Sequence, residues 1–148
     1  MYKHLLLPTD GTELSEASVR SAIALAHEHG AKVTGLYVMP DYQTVIYGAD
    51  ALMTNSSAEF DRSVNLDADK ALSFVEAIAK QEGVPYDLAK VTSNSTYKAI
   101  IQHAKDKDCD LIFMASHGRK GISGLLLGSE TQKVLTHTSV PVLVYRSA

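Results

Sequence analysis

A single cysteine, Cys109, is all the thiol this 148-residue chain has, so no internal disulfide can form and nothing points to an oxidising compartment. Long apolar runs are missing too. None approaches the ~20 residues of a membrane span, and Leu5-Leu6-Leu7 behind Lys3 is too brief for a signal peptide. Neither sign of charge dominates. Fourteen Lys and Arg against 17 Asp and Glu leave −3 at pH 7, which argues against a general electrostatic grip on nucleic acid or an anionic membrane. No linker, repeat or low-complexity stretch divides the chain, and roughly 150 residues is the length of one domain. With 45% hydrophobic and 21% charged residues, disorder of the whole chain is excluded. The expectation is a soluble, cytoplasmic protein of one domain over residues 1–148.

What is present is an alternation of short apolar runs with stretches of helical period. His4 to Leu7 reads as a strand halted at Pro8-Thr9-Asp10-Gly11. Val19, Ala22, Ile23 and Ala26 share one helical face, and Gly30 ends that helix. Ala31 to Val38 is a second strand; Ala68, Ala71, Leu72, Val75 and Ala79 mark a helix ending at Gly83. A weaker strand, Tyr86 to Val91, precedes a helix carrying Ala99, Ile100 and Ala104. Asp110 to Ala115 is a fourth strand, Val134 and Leu135 mark the last helix, and Val140 to Tyr145 is the fifth strand. All four prolines fall at or near strand ends, where a missing N–H costs least. Alternating strands and helices imply parallel pairing through right-handed crossovers, and strands apolar throughout imply cover on both faces. The fold class is therefore α/β, a doubly wound five-stranded parallel sheet with helices on both faces. Met39 to Ser57, containing Tyr42, Tyr47, Gly48 and Asn55, has no sustained period and reads as a long loop, either a lid or interface or a plain connector.

Glycine is the most informative residue. Gly118, Gly121, Gly124 and Gly128 lie within the eleven residues after strand 4, with Arg119 and Lys120 between them and no acid. Ser129-Glu130-Thr131-Gln132 then reads as a capping box opening the last helix. Glycines let backbone N–H groups approach a ligand, and a helix N-terminus favours anions, so phosphate is the natural guest. The plainer alternative is a surface loop whose glycines only turn. Neither GxxxxGK[ST] nor GxGxxG is present.

At these residues the chain resembles the universal stress protein family: the opening LLLPTDGTELSEAS, GLYV, CDLIFMASHGRKG, LLLGSETQKVL and the closing VPVLVYR all take part. Its nucleotide-binding branch carries Gly, two residues, Gly, nine residues, then Gly-Ser or Gly-Thr. Here the pattern falls on Ala115, Gly118 and Gly128-Ser129, with the first glycine replaced. The resemblance implies a Rossmann-like fold of the adenine nucleotide alpha hydrolase kind. It also implies ATP, or ADP or AMP, across the carboxyl ends of strands 1, 2 and 4, with Mg²⁺ at Ser129. Pro8, Thr9 and Asp10 would face the adenine or ribose end, Val38 the adenine, and Met114 and Ala115 the ribose. Gly118, Gly128, Ser129 and Thr131 would hold the phosphates, joined by His117, Arg119 and Glu130. A homodimer through Val140 to Tyr145 is implied, with Val142 and Val144 near the interface. The function so implied is a nucleotide-binding stress-response regulator; the alternatives are a slow ATPase or phosphotransferase and a nucleotide-free dimeric interaction module.

Several residues keep a second reading. Asp10 can accept hydrogen bonds from a ligand or cap the first helix. Ala115 is unfavourable by roughly 1 kcal/mol or more if its backbone must be left-handed, and is accommodated if glycine serves only to keep a Cβ off the ribose. His117 is a phosphate donor or a plain loop histidine. His27 and His29 point to different faces of a helix, against a metal site, and Cys109 reads as a small buried residue. Ser116-His117 lacks the GxSxG of a nucleophile elbow.

Overall fold

A computed structural model describes residues 1–41, 57–118 and 126–147. Leu5, Leu6 and Leu7 are successive residues of strand β1 (His4–Pro8), so they point to opposite faces, yet all three are buried. Only a central strand covered on both sides satisfies that pattern. β1 indeed pairs in parallel with β2 (Lys32–Met39) on one side and β4 (Leu111–Ala115) on the other. With β3 (Tyr86–Thr92) and β5 (Val142–Tyr145) at the two edges, the sheet runs β3-β2-β1-β4-β5.

Helices α1 (Glu13–His29) and α2 (Ser57–Glu82) cover one face, where Leu5, Leu7, Val33 and Phe113 meet Val19, Ile23 and Val75. Helices α3 (Thr96–Asp106) and α4 (Ser129–His137) cover the other, where Leu6, Leu36, Ile112 and Met114 meet Ile100, Ala104 and Val134. The expected doubly wound α/β architecture is the one observed. Gly30 ends α1 at φ +64°, its N–H on the Ala26 and His27 carbonyls, a left-handed cap that glycine adopts most readily.

Several boundaries differ from the sequence reading. α2 begins at Ser57, well before its first buried residue, Ala68; its opening turns are exposed or half-buried and so carry no apolar stripe to read. Tyr42, Tyr47, Gly48 and Asn55 of the expected loop lie outside the described residues. Strands β2, β4 and β5 each start one or two residues later than their apolar runs.

Asp110 explains the late start of β4. Its carboxylate accepts N–H bonds from Lys3 and His4 at 2.9–3.1 Å, and its own N–H donates to the His4 carbonyl. Burial pushes the Asp110 carboxyl up, but backbone N–H groups of His4, Lys3 and Asp110 itself outweigh it and hold the group below its ordinary value. Buried His4 bonds through Nδ1 to the Lys107 carbonyl and through Nε2 to the Thr34 hydroxyl, at 3.0 and 2.7 Å. A carbonyl only accepts, so Nδ1 donates and the neutral ring receives the Thr34 proton. Burial, then the charge of Lys32, pushes this imidazole below its ordinary value.

Candidate functional site

The chain leaves β1 toward β2 and β3 on one side, and reaches β4 and β5 on the other. Crossovers on the two sides lie on opposite faces, so the carboxyl ends of β1 and β4 diverge and leave a crevice. A cleft of about 440 Å³ occupies it. Its wall includes Pro8, Thr9 and Asp10 after β1, Val38 of β2, Met114 and Ala115 of β4, and His117 and Gly118 beyond. From the start of α4 come Gly128, Ser129, Glu130 and Thr131. Arg119 lies outside the described residues.

On the β1 side, Asp10 organises its own turn. Oδ1 accepts from the Thr12 N–H at 3.1 Å and from the Thr12 and Ser15 hydroxyls at 2.7 Å. The cap of α1 is Thr12, whose hydroxyl accepts the Ser15 N–H; Asp10 stands behind that cap rather than forming it. Oδ2 faces Gly118, where an added Cβ would sit 2.6 Å away. A side chain at 118 would have to push the Asp10 carboxylate aside, and glycine spares that shift.

On the β4 side, Gly128 donates its N–H to the Ser116 carbonyl at 2.7 Å, and a Cβ there would lie 2.9 Å from the His117 Cα. Its φ is −62°, so crowding and not a left-handed backbone selects glycine. The expected capping box is absent. Gly128 is the cap residue, no side chain caps α4, and the Gln132 amide donates to the Leu127 carbonyl instead of reaching back. Ser129 is already inside the helix, so its hydroxyl is not committed as a cap. The first intrahelical bond runs from the Gln132 N–H to the Gly128 carbonyl, which leaves the N–H groups of Ser129, Glu130 and Thr131 ahead of the ladder. The buried Thr131 hydroxyl donates to the Ala115 carbonyl at 3.0 Å, so it positions the helix and is spent as a donor. Ala115 raises no strain: Asp108 is the only non-glycine described at positive φ.

Leu36 and Ile100 add to the apolar lining with Val38 and Met114, and Thr96 and Ser15 also reach the cleft. Sequence reasoning placed neither these four nor Leu126 and Leu127, which also line the cleft. Leu36 and Ile100 carry the same apolar period as core residues, and nothing along the chain says that the core opens there. Elsewhere, the described residues hold no cluster of three or more His, Cys, Asp or Glu fit for a metal. His27 bonds the Glu82 carbonyl while His29 bonds the Tyr2 N–H, separate partners on separate sides. Cys109 is buried and its thiol is pushed up to about 11, mainly by burial, which leaves it inert.

Comparison with known proteins agrees with this architecture. The profile of the Universal stress protein family matches residues 1–146. A universal stress protein of Thermus aquaticus is 31% identical over 149 residues, covering 99% of this chain and 100% of its own. The solved structure of hypothetical protein MJ0577 of Methanocaldococcus jannaschii superposes with a TM-score of 0.76 at 26% identity, over 100% of this chain and 98% of that one. A universal stress protein of Archaeoglobus fulgidus, solved in complex with dAMP, has a TM-score of 0.69 at 17% identity, with 97% of each chain covered.

Proposed function

This chain belongs to the universal stress protein family, and we propose that it binds an adenine nucleotide, ATP or its mono- and diphosphates, in the cleft at the carboxyl ends of β1 and β4. One observation carries the reading. A single cleft joins an apolar wall of Leu36, Val38, Ile100 and Met114 to the open N-terminus of α4. The first suits a purine ring and the second suits phosphate. Its volume is within the roughly 300–1,000 Å³ of small-molecule sites, and a relative of the same fold is solved with dAMP.

In this reading Val38 lies against the adenine, and Asp10 with the Pro8-Thr9 backbone faces the ring or ribose. Met114 and Ala115 flank the ribose. The phosphates sit before Ser129, Glu130 and Thr131, whose N–H groups point out of the helix, with Gly118 and His117 beside them. Gly128 acts through shape, its own N–H being held by Ser116. Mg²⁺ would arrive on the triphosphate, with the Ser129 hydroxyl as its protein oxygen.

The protein so loaded acts in the cytoplasm as a stress-response regulator whose bound nucleotide tunes conformation or assembly. The assembly is a homodimer through residues 140–145. β5 is an edge strand with no charged residue among Val142 to Tyr145 and with Leu143 exposed, a surface that proteins ordinarily cover. Calorimetric titration with ATP should show one saturable site per chain, and light scattering at micromolar concentration a dimer. No heat and no thermal shift at millimolar ATP would defeat the nucleotide reading, and a monomeric mass would defeat the assembly.

A further inference from the structure

Glu130 is the second residue of α4, between two residues whose N–H groups open on the cleft. Its carboxylate reaches another helix. Oε2 accepts the Tyr97 N–H at 2.9 Å, and Oε1 lies 3.5 Å from Lys133 Nζ. The start of α3 gains from that bond, because its own cap residue, Ser95, makes no side-chain capping bond. Two helix N-termini therefore border the cleft, through Thr96 and through Ser129. Among the described residues, that of α3 holds an anion from the protein itself and that of α4 does not. A phosphate is steered to α4, and it then stands beside a fixed negative charge. Lys133 offsets that charge only in part, since the two side chains are 49% and 42% exposed and such pairs are screened. Among the described residues of the wall, Asp10 and Glu130 are carboxylates and none is Lys or Arg.

Resting on the nucleotide reading above, we infer that Glu130 sets the charge selectivity of the cleft, opposing each added phosphate and favouring nucleotides that carry little charge or a divalent cation.

The test titrates adenosine, AMP and ATP, each with and without Mg²⁺, into the wild type, Glu130→Gln and Lys133→Gln. The glutamine oxygen still accepts the Tyr97 N–H, so charge is removed while the cap is kept. The ratio of ATP to adenosine affinity should rise about two- to fivefold in Glu130→Gln, the range of a half-exposed charge interaction. It should fall in Lys133→Gln, which unmasks the carboxylate. Both changes should shrink with Mg²⁺ and in 1 M salt. Ratios that stay fixed, or move in the same direction in both variants, would overturn the inference. Should Glu130→Gln fail to fold, Lys133→Gln still reads the charge. Binding of all three ligands at unchanged ratios would remove this inference alone, whereas a wild type that binds none would remove the nucleotide reading and this with it.

Discussion

At the amino end of the seam between β1 and β4, Asp110 accepts N–H groups from Lys3 and His4 and returns its own to His4. At the carboxyl end, Asp10 accepts three bonds from Thr12 and Ser15 of its own turn and meets the β4 side at Gly118. The same residue type ties two strands together at one end and shapes a wall at the other. Bonds that cross a seam spend backbone donors on stability. At the other end the facing helix, α4, keeps N–H groups ahead of its ladder, directed at the gap. The cleft lies at the Asp10 end of the seam, whereas at the Asp110 end a carboxylate accepts backbone N–H groups of the neighbouring strand.

The largest expected effect is Gly128→Val. A branched side chain would meet the His117 backbone, so affinity for ATP should fall at least ~10-fold, about 1.4 kcal/mol. The ligand-free protein should also lose about 1–3 kcal/mol from overpacking. Paired calorimetry and urea unfolding check both. An unchanged ligand-free stability would show that the glycine answers to the ligand alone. Next, Asp110→Ala should cost about 2 kcal/mol in urea unfolding through its charge-assisted bonds, while nucleotide affinity moves by less than about twofold. A large affinity loss would break the contrast between the two ends.

Acidification sharpens the same contrast. His4 is held neutral by burial and by Lys32, so its folded value lies below the ~6.5 of an unfolded histidine. As pH drops below that value, the unfolded chain takes up a proton that the folded one refuses, and stability declines by at most ~1.4 kcal/mol per pH unit for this group. His103, also lowered chiefly by burial, adds in the same direction. His4→Gln should flatten the slope of urea midpoint against pH between about 6.5 and 5; an unchanged slope would remove His4 from the account. Smallest is Ala115→Gly. With no left-handed strain to relieve, it should leave ATP affinity equal or at most about twofold tighter, and cost roughly 0.5–1 kcal/mol of stability. A tenfold gain would show that the methyl obstructs the ligand.

The strands were legible because Leu5 to Leu7 and Leu111 to Met114 are apolar without alternation, a pattern that only a sheet covered on both faces explains. The first turns of α2 were not, since an exposed helix leaves no stripe. The ten-residue step from Gly118 to Gly128 brings both glycines to the wall of one cleft. The step said nothing of what each glycine meets, which is Asp10 in one case and His117 in the other. Ser129 read as a cap because Ser-x-x-Gln is a capping pattern. Gly128 takes that place because its extended backbone, at ψ 151°, already turns the chain into the helix. Glu130 as the cap of α3 was beyond reach, because it joins residues 33 apart on different helices.

The strand order has a kinetic consequence. β1 meets β2 after one short crossover, Leu5 beside Val33, whereas its other neighbour brings His4 to Asp110 across 106 residues. Closing the longer loop costs about 1 kcal/mol more chain entropy, and contacts so distant in sequence form late. During synthesis β1 to β3 can pair while β4 is still being made, so the first half of the sheet waits with one flank of β1 bare. The cleft is built on the flank that closes last. Its wall therefore completes only when nearly the whole chain has emerged, and a molecule that has not finished folding does not yet have this pocket.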